Sequence, residues 1–127
     1  MPGSVAARLA SRTARWTFCT YQARSNSAFA EVAARTGRYA CLVALGVVVR
    51  GETAHFDFVA GEAARSLAEV ARVHALPVGF GLLTTETMAQ AAERAGGVAG
   101  NKGHEAAEAA LAMADLIGRL TGPDATA

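Results

Sequence analysis

The chain has 127 residues, a mass of 13.0 kDa and 52% hydrophobic residues, which suits one ordinary globular domain with a buried core and excludes a multidomain enzyme. A charged fraction of 18% and a formal net charge of +1 create no field that would make nucleic acid, an acidic substrate or an anionic membrane the main partner. Two cysteines, Cys19 and Cys41, are too few for a disulfide scaffold and sit in no C-x-x-C or metal-ligand spacing, so both read as thiols in a reducing compartment.

The charge is unevenly spread. Residues 1–30 hold Arg8, Arg12, Arg15 and Arg24 and no acid, so a +4 head precedes a body with eight basic and eleven acidic residues. Residues 5–27 show neither helical nor alternating periodicity, and Trp16, Phe18 and Tyr21 lie among arginines and hydroxyl residues. The composition is that of an organellar transit peptide, without the apolar core of a secretory signal.

From about residue 28 the chain alternates as a βα series does. Ala40 to Val49 is continuously apolar and β-branched toward its end, which predicts a strand buried on both faces of a parallel sheet; it is about half the length of a membrane-spanning helix. It stops at Arg50-Gly51-Glu52-Thr53. Between Phe58 and Ala75 the apolar positions Ala60, Ala64, Leu67 and Ala71 take helical spacing, and Pro77 forbids continuation and introduces a second apolar run, Val78 to Leu83.

Thr87, with Gln90 three residues on, fits a capping box for a short helix ending at Gly96. After the Gly-rich link Gly96 to Gly100, Asn101 is placed to cap a long helix whose stripe is Ala106, Ala110, Met113, Ile117 and Leu120, ending at Gly122-Pro123. The expected organisation is an atypical segment 1–27, one domain over 28–122 and a tail 123–127.

In an open parallel sheet, ligands bind at the carboxyl ends of the strands, where the next helix offers unpaired N–H groups to anions. That selects Arg50 to His55 after the first strand and Thr84-Thr85-Glu86 after the second. In the first, Gly51 permits close backbone approach, Thr53 has a hydroxyl to donate to a phosphate oxygen, and His55 is a proton-transfer candidate near neutral pH. The competing reading of His55 is a helix-start histidine satisfying a backbone group. His74 and His104 read as helix-end residues without a role, and Arg94 as a cation complementing a helix C-terminus. Lys102 is either solvated or set to meet a phosphate. Gly103 follows Lys102 where a phosphate-binding loop of the G-x-x-x-x-G-K-[ST] type needs Ser or Thr, and no G-x-G-x-x-G follows a strand, so nucleotide readings fall away.

Four stretches, Ala44 to Phe58, Pro77 to Thr87, Gln90 to Gly96 and Gly100 to Gly103, together resemble in order and spacing the lumazine synthase family, 6,7-dimethyl-8-ribityllumazine synthase, over residues 28–120. The resemblance implies a flavodoxin-like three-layer α/β/α sandwich with a parallel sheet, assembled as pentamers and, in some members, as an icosahedral shell of twelve pentamers. It implies a cytoplasmic transferase of riboflavin biosynthesis that condenses 5-amino-6-(D-ribitylamino)uracil with 3,4-dihydroxy-2-butanone 4-phosphate, releasing phosphate and water without metal or other cofactor. By matching position, His55 transfers protons, Glu52 and Thr53 form the loop that holds the butanone phosphate, Arg94 meets that phosphate with Lys102 close by, Val47, Val48 and Val49 line the pyrimidine site largely through backbone groups, and Phe80 enters from a neighbouring subunit. The implied partners are small-molecule substrates and further copies of the chain, with neither nucleic acid nor membrane.

The resemblance fails upstream of residue 28. The family begins with a strand, an aromatic residue that stacks on the pyrimidine, a helix, and a second strand leading to a Pro-Gly-Ser-x-Glu loop. Here Pro2-Gly3-Ser4 is the only trace, with Ala6 where the glutamate belongs, while Phe29 to Tyr39 resume the expected helix. A shortened or frame-shifted reading of the coding sequence, a short divergent protein and a transit peptide all compete as explanations. Loss of two strands would expose an edge and a face of the sheet, so the chain alone is expected to have little synthase activity. A non-catalytic binding or shell-forming subunit is the alternative function. The short link Gly96 to Lys102 resembles that of shell-forming members.

Overall fold

The computed structural model describes residues 23–123, with side chains from Ser27 onward. The head with Trp16, Phe18 and Tyr21, the Pro2-Gly3-Ser4 trace, Cys19 and residues 124–127 lie outside the described residues.

Local signals set the element boundaries. Helix α1 (Ala23–Arg35) starts ahead of residue 28 and stops where Gly37 takes a φ of +64°, a left-handed turn natural to glycine. Strand β1 (Leu42–Val49) leads through the Arg50 to Ala54 loop into helix α2 (His55–His74). The C-cap Ala75 is left-handed at φ +47°, and Pro77 then opens strand β2 (Val78–Thr85). Thr87 caps the short helix α3 (Met88–Arg94) with the reciprocal bonds of a capping box: the Gln90 N–H donates to the Thr87 hydroxyl at 3.1 Å, and the Gln90 side chain accepts from the Thr87 N–H at 3.4 Å. The Gly-rich link is a miniature antiparallel ribbon, β3 (Ala95–Gly97) against β4 (Gly100–Asn101). Asn101 caps α4 (Lys102–Thr121), accepting the His104 N–H at 3.0 Å.

The architecture is α/β in three layers. β1 and β2 pair in parallel from Leu42↔Val78 to Val49↔Thr85. Even-numbered residues of both strands face α1 and α2: Val48 packs with Val59, Ala63 and Leu82, while Leu42, Ala44 and Val78 meet Ala30, Leu67 and Val70. Odd-numbered residues face α4, which lies close enough that a Cβ at Gly79 would collide with the Ala106 carbonyl and one at Gly81 would come within 3.4 Å of the Ala106 methyl.

Three periodicity readings shift. The inward face of α2 is Ala63, Leu67 and Val70, with Ala64 exposed, because that face must meet both α1 and the sheet. On α4, Ala106 and Ala110 are buried, yet Met113 and Leu120 are exposed. α4 runs from beside Leu45 past Gly79 near the start of β2, so its last turns pass beyond the end of the sheet. Among the described residues β1 is not buried on both faces: Leu45, Gly46 and Val47 are exposed, since the one paired strand there, β2, covers one edge and α4 sits mainly on β2.

α1 is also tied to α2 by a polar contact, His74 Nε2 to Glu31 Oε2 at 2.9 Å. His74 and then Arg35 hold the Glu31 carboxyl below its usual value. A depressed acid pKa contributes stability that is present above the ordinary carboxylate range and lost as pH falls through it. Glu31→Gln is therefore expected to flatten the acid limb of a stability profile between about pH 5 and 3. Thermal melts across that range check it, and parallel limbs for both chains would contradict it.

Candidate active site

The carboxyl ends of β1 and β2 gather the first group of residues. The Arg50 N–H donates to the Thr85 carbonyl at 2.9 Å, the last rung of the ladder, so the loops leaving both strands start side by side. Gly51, Glu52, Thr53 and His55 are all exposed there. The Thr53 hydroxyl accepts the His55 N–H at 3.4 Å, which leaves its own O–H to donate. The N-cap of α2 is Ala54, which has no side-chain acceptor; the His55 N–H goes to Thr53 and the Asp57 N–H to the Ala54 carbonyl at 3.1 Å, so of the first turn the Phe56 N–H is the one left open to an anion among the described residues. A Cβ at Gly51 would meet nothing within 4 Å beyond its chain neighbours, so the space on that side of the backbone is open.

The His55 ring makes no hydrogen bond or ion pair among the described residues, so it does not serve as a helix-start group satisfying the backbone. His74, by contrast, is held by Glu31, and His104 lies 3.3 Å from Glu108 one turn on. Thr85 is buried and donates its hydroxyl to the Thr87 carbonyl at 2.8 Å; of the second strand-end segment, Thr84 and Glu86 are the exposed members.

Arg50, which the sequence offers only as the first residue of the strand-end segment and without a role, organises this end of the sheet. The Arg50 guanidinium makes a two-pronged contact with Asp57, both distances 3.2 Å, reaches Glu86 at 3.0 Å through Nε, and lies 4.3 Å from the centroid of the Phe56 ring. Asp57, and then Glu86, push the Arg50 pKa above its already high ordinary value. The only signal in the sequence is a basic residue directly after a strand. Its partner Glu86 is 36 residues away and becomes a neighbour only through the β1–β2 register.

The second group lies at the ribbon. Arg94 ends α3 and Lys102 begins α4, and the intervening Ala95 and Asn101 are paired, so the two cations flank the base of one ribbon. Arg94 donates to the Gln90 carbonyl at 3.0 Å, as a cation at a helix C-terminus does, and is 3.9 Å from Glu93. Lys102 pairs with Glu105 at 2.9 Å. Among the described residues no hydrogen bond or ion pair joins this group to Glu52, Thr53 or His55.

Val47, Val48 and Val49 occupy the last positions of β1. Val48 is committed to the core beside Ala63 and Leu82. Leu42 and Arg50 direct their N–H groups at β2, and strand backbones alternate edges, so the odd-numbered Val47 and Val49 present N–H and C=O to the edge that β2 does not cover. Phe80 pairs with Ala44, five positions before the end of β2 at Thr85, or roughly 16 Å away along a strand, and is 45% exposed. Within one chain it stands apart from the His55 loop. Cys41 is a free thiol whose pKa burial raises. No helix among the described residues is long and apolar enough to cross a membrane.

Comparison with known proteins bears on the same residues. The model of the family 6,7-dimethyl-8-ribityllumazine synthase matches residues 26–118. Among curated proteins, those named 6,7-dimethyl-8-ribityllumazine synthase from Yersinia pestis (strain Pestoides F) and from Yersinia pseudotuberculosis (serotype O:1b, strain IP 31758) are each 55% identical to the chain over 93 residues. That stretch covers 73% of this chain and 60% of each relative, so the chain spans about three fifths of the length of the proteins it matches. On that match and this fold, the chain belongs to the 6,7-dimethyl-8-ribityllumazine synthase family.

Proposed function

We propose that this chain carries the phosphate-handling and proton-transfer part of a lumazine synthase site, which condenses 5-amino-6-(D-ribitylamino)uracil with 3,4-dihydroxy-2-butanone 4-phosphate in riboflavin biosynthesis. The observation that carries the reading is the span of the match: residues 26–118 contain every residue proposed for the site. Glu52 and Thr53 form the loop that holds the butanone phosphate, with the Thr53 hydroxyl and backbone N–H groups as its donors, and Arg94 supplies a planar fork for the phosphate oxygens with Lys102 alongside. Stabilising the departing phosphate lowers the elimination barrier. His55 serves the proton transfers of imine formation and ring closure. The open-edge backbone groups of Val47 and Val49, with Val48 between them, bond the pyrimidine, which needs no charged side chain there.

No hydrogen bond or ion pair joins the two groups of site residues among the described residues, and Phe80 stands apart from the His55 loop. A homo-oligomer in which the ribbon and Phe80 of one copy face the His55 loop of the next completes the site, as a pentamer or as twelve pentamers in a shell. The exposed face of β1 and the exposed Leu111, Met113, Leu116 and Leu120 of α4 supply apolar surface for such contacts. The protein is placed in the cytoplasm, with small-molecule substrates as its other partners.

Inorganic phosphate tests the reading directly. Arg94→Ala is expected to weaken phosphate binding by about 10- to 100-fold, the range of a charge-assisted hydrogen bond lost, and Arg94→Lys by less. Titration calorimetry checks this, and equal affinities for the unmodified chain and Arg94→Ala would remove Arg94 from the site. Synthesis is read from product fluorescence, using the chain joined after residue 25 to the amino-terminal part of a Yersinia relative.

A further inference from the structure

Arg50 has no assigned part in binding or proton transfer, yet it touches every segment that bounds the His55 loop. Its backbone closes the β1–β2 ladder at Thr85, its forked end grips Asp57 in the first turn of α2, its Nε reaches Glu86 on the loop leaving β2, and its plane covers Phe56. Residues 51–56, which include Glu52, Thr53 and His55, form the segment between Arg50 and Asp57. The two ends of the segment are thus tied together through Arg50, and the contacts within it among the described residues are the Thr53 hydroxyl to the His55 N–H, the Ala54 carbonyl to the Asp57 and Phe58 N–H groups, and the Phe56 ring against the guanidinium.

We propose that Arg50 is the positioning residue of this loop: by bridging Asp57 and Glu86 it fixes residues 51–56 across the strand ends in the conformation that receives the substrate phosphate. The proposal rests on the reading of Glu52 and Thr53 as the phosphate loop. Lysine cannot substitute, because a point charge on a flexible stem lacks the two-pronged geometry that Asp57 uses. The contacts are exposed, and exposed ion pairs add little to global stability, so variants that break them are expected to fold and to differ locally.

Charge alone and positioning predict opposite signs for Asp57→Asn, which deletes a negative charge near the anion site. Electrostatics by itself would tighten phosphate binding, whereas a loosened loop weakens it. In the 127-residue chain, titrated with inorganic phosphate at low ionic strength, Asp57→Asn is expected to weaken binding by about tenfold, Arg50→Lys by a similar factor, and Asp57→Glu, which keeps a carboxylate, by less than about twofold. Amide hydrogen exchange in residues 51–56 is expected to quicken in the first two variants while the amides of Leu67 and Val70 stay as protected as before, which also shows that the fold is intact. Binding by Asp57→Asn as tight as or tighter than the unmodified chain's, or unchanged exchange in residues 51–56, overturns the positioning role and leaves the phosphate-loop reading standing. If the unmodified chain binds no phosphate, the phosphate-loop reading fails and this proposal fails with it.

Discussion

Gly79→Ala is expected to detach α4 from the sheet and to cost about 3 kcal/mol or more, the upper end of what overpacking a core produces. Gly79 is buried on the α4 face of β2, and a methyl there would meet the Ala106 carbonyl carbon at 2.9 Å and the Ala110 Cβ at 3.2 Å, with the Ala106 oxygen closer still. Those are backbone atoms of a helix and a core methyl, so no rotamer change relieves them. The helix must lift, uncovering Ala106 and Ala110, which are now 7% and 2% exposed. For a domain near this size the melting temperature is expected to fall by roughly 10 °C or more. Gly61→Ala provides the control: it lies in α2, a Cβ there meets nothing within 4 Å, and replacing a mid-helix glycine is expected to add up to about 1 kcal/mol. Melting curves followed by circular dichroism compare the two. A Gly79→Ala chain that melts within a degree or two of the parent would show that α4 does not pack as described.

The same contact shows which parts of the fold were legible in the sequence. Caps are written within four residues, so Thr87 with Gln90 and Asn101 before α4 mark helix starts without reference to the rest of the chain. Pro77 marks the entry to β2 in the same local way. Burial is not local. The apolar character of Leu45 and Val47 predicts an interior strand, but their exposure depends on which elements lie beside β1, and among the described residues β2 is the one strand that pairs with it. For the same reason the α4 stripe was correct where the helix crosses Gly79 and Gly81 and failed at Met113 and Leu120, where it has passed the sheet. Small residues on β2 and α4 are what permit the close crossing. Their sequence signature, alanines and glycines in abundance, says that backbones approach without saying which ones do.

The site divides along the same line. The rule that ligands gather at the carboxyl ends of parallel strands selects the segments Arg50 to His55 and Thr84 to Glu86 from the chain order alone, and the role proposed for Glu52 comes from the family resemblance. The pairing of Arg94 with Lys102 at the ribbon base needs the Ala95↔Asn101 contact, and the bridging role of Arg50 needs the β1–β2 register. A strand-following arginine is too common a feature to stand out, and its carboxylate partners are separated from it by 7 and 36 residues.

His55→Ala is expected to lower turnover by about 10²- to 10⁴-fold, the usual contribution of a positioned general acid–base group, once the synthase site is complete. No competing contact occupies this imidazole among the described residues. It is exposed at the first position of α2, and the bond to Thr53 comes from its backbone N–H and survives the substitution. The loss is therefore expected in kcat, with phosphate affinity unchanged within about twofold, because the groups proposed to hold the phosphate are the Thr53 hydroxyl, the backbone of the Glu52–Thr53 loop and Arg94. Arg94→Ala predicts the converse, a large loss in affinity for the phosphate-bearing substrate. Measured side by side by product fluorescence and by phosphate titration, the two variants separate proton transfer from anion binding. A His55→Ala chain that turns over within about threefold of its parent would assign the proton transfers to another group, and one that loses phosphate binding and turnover together would make His55 part of the anion site.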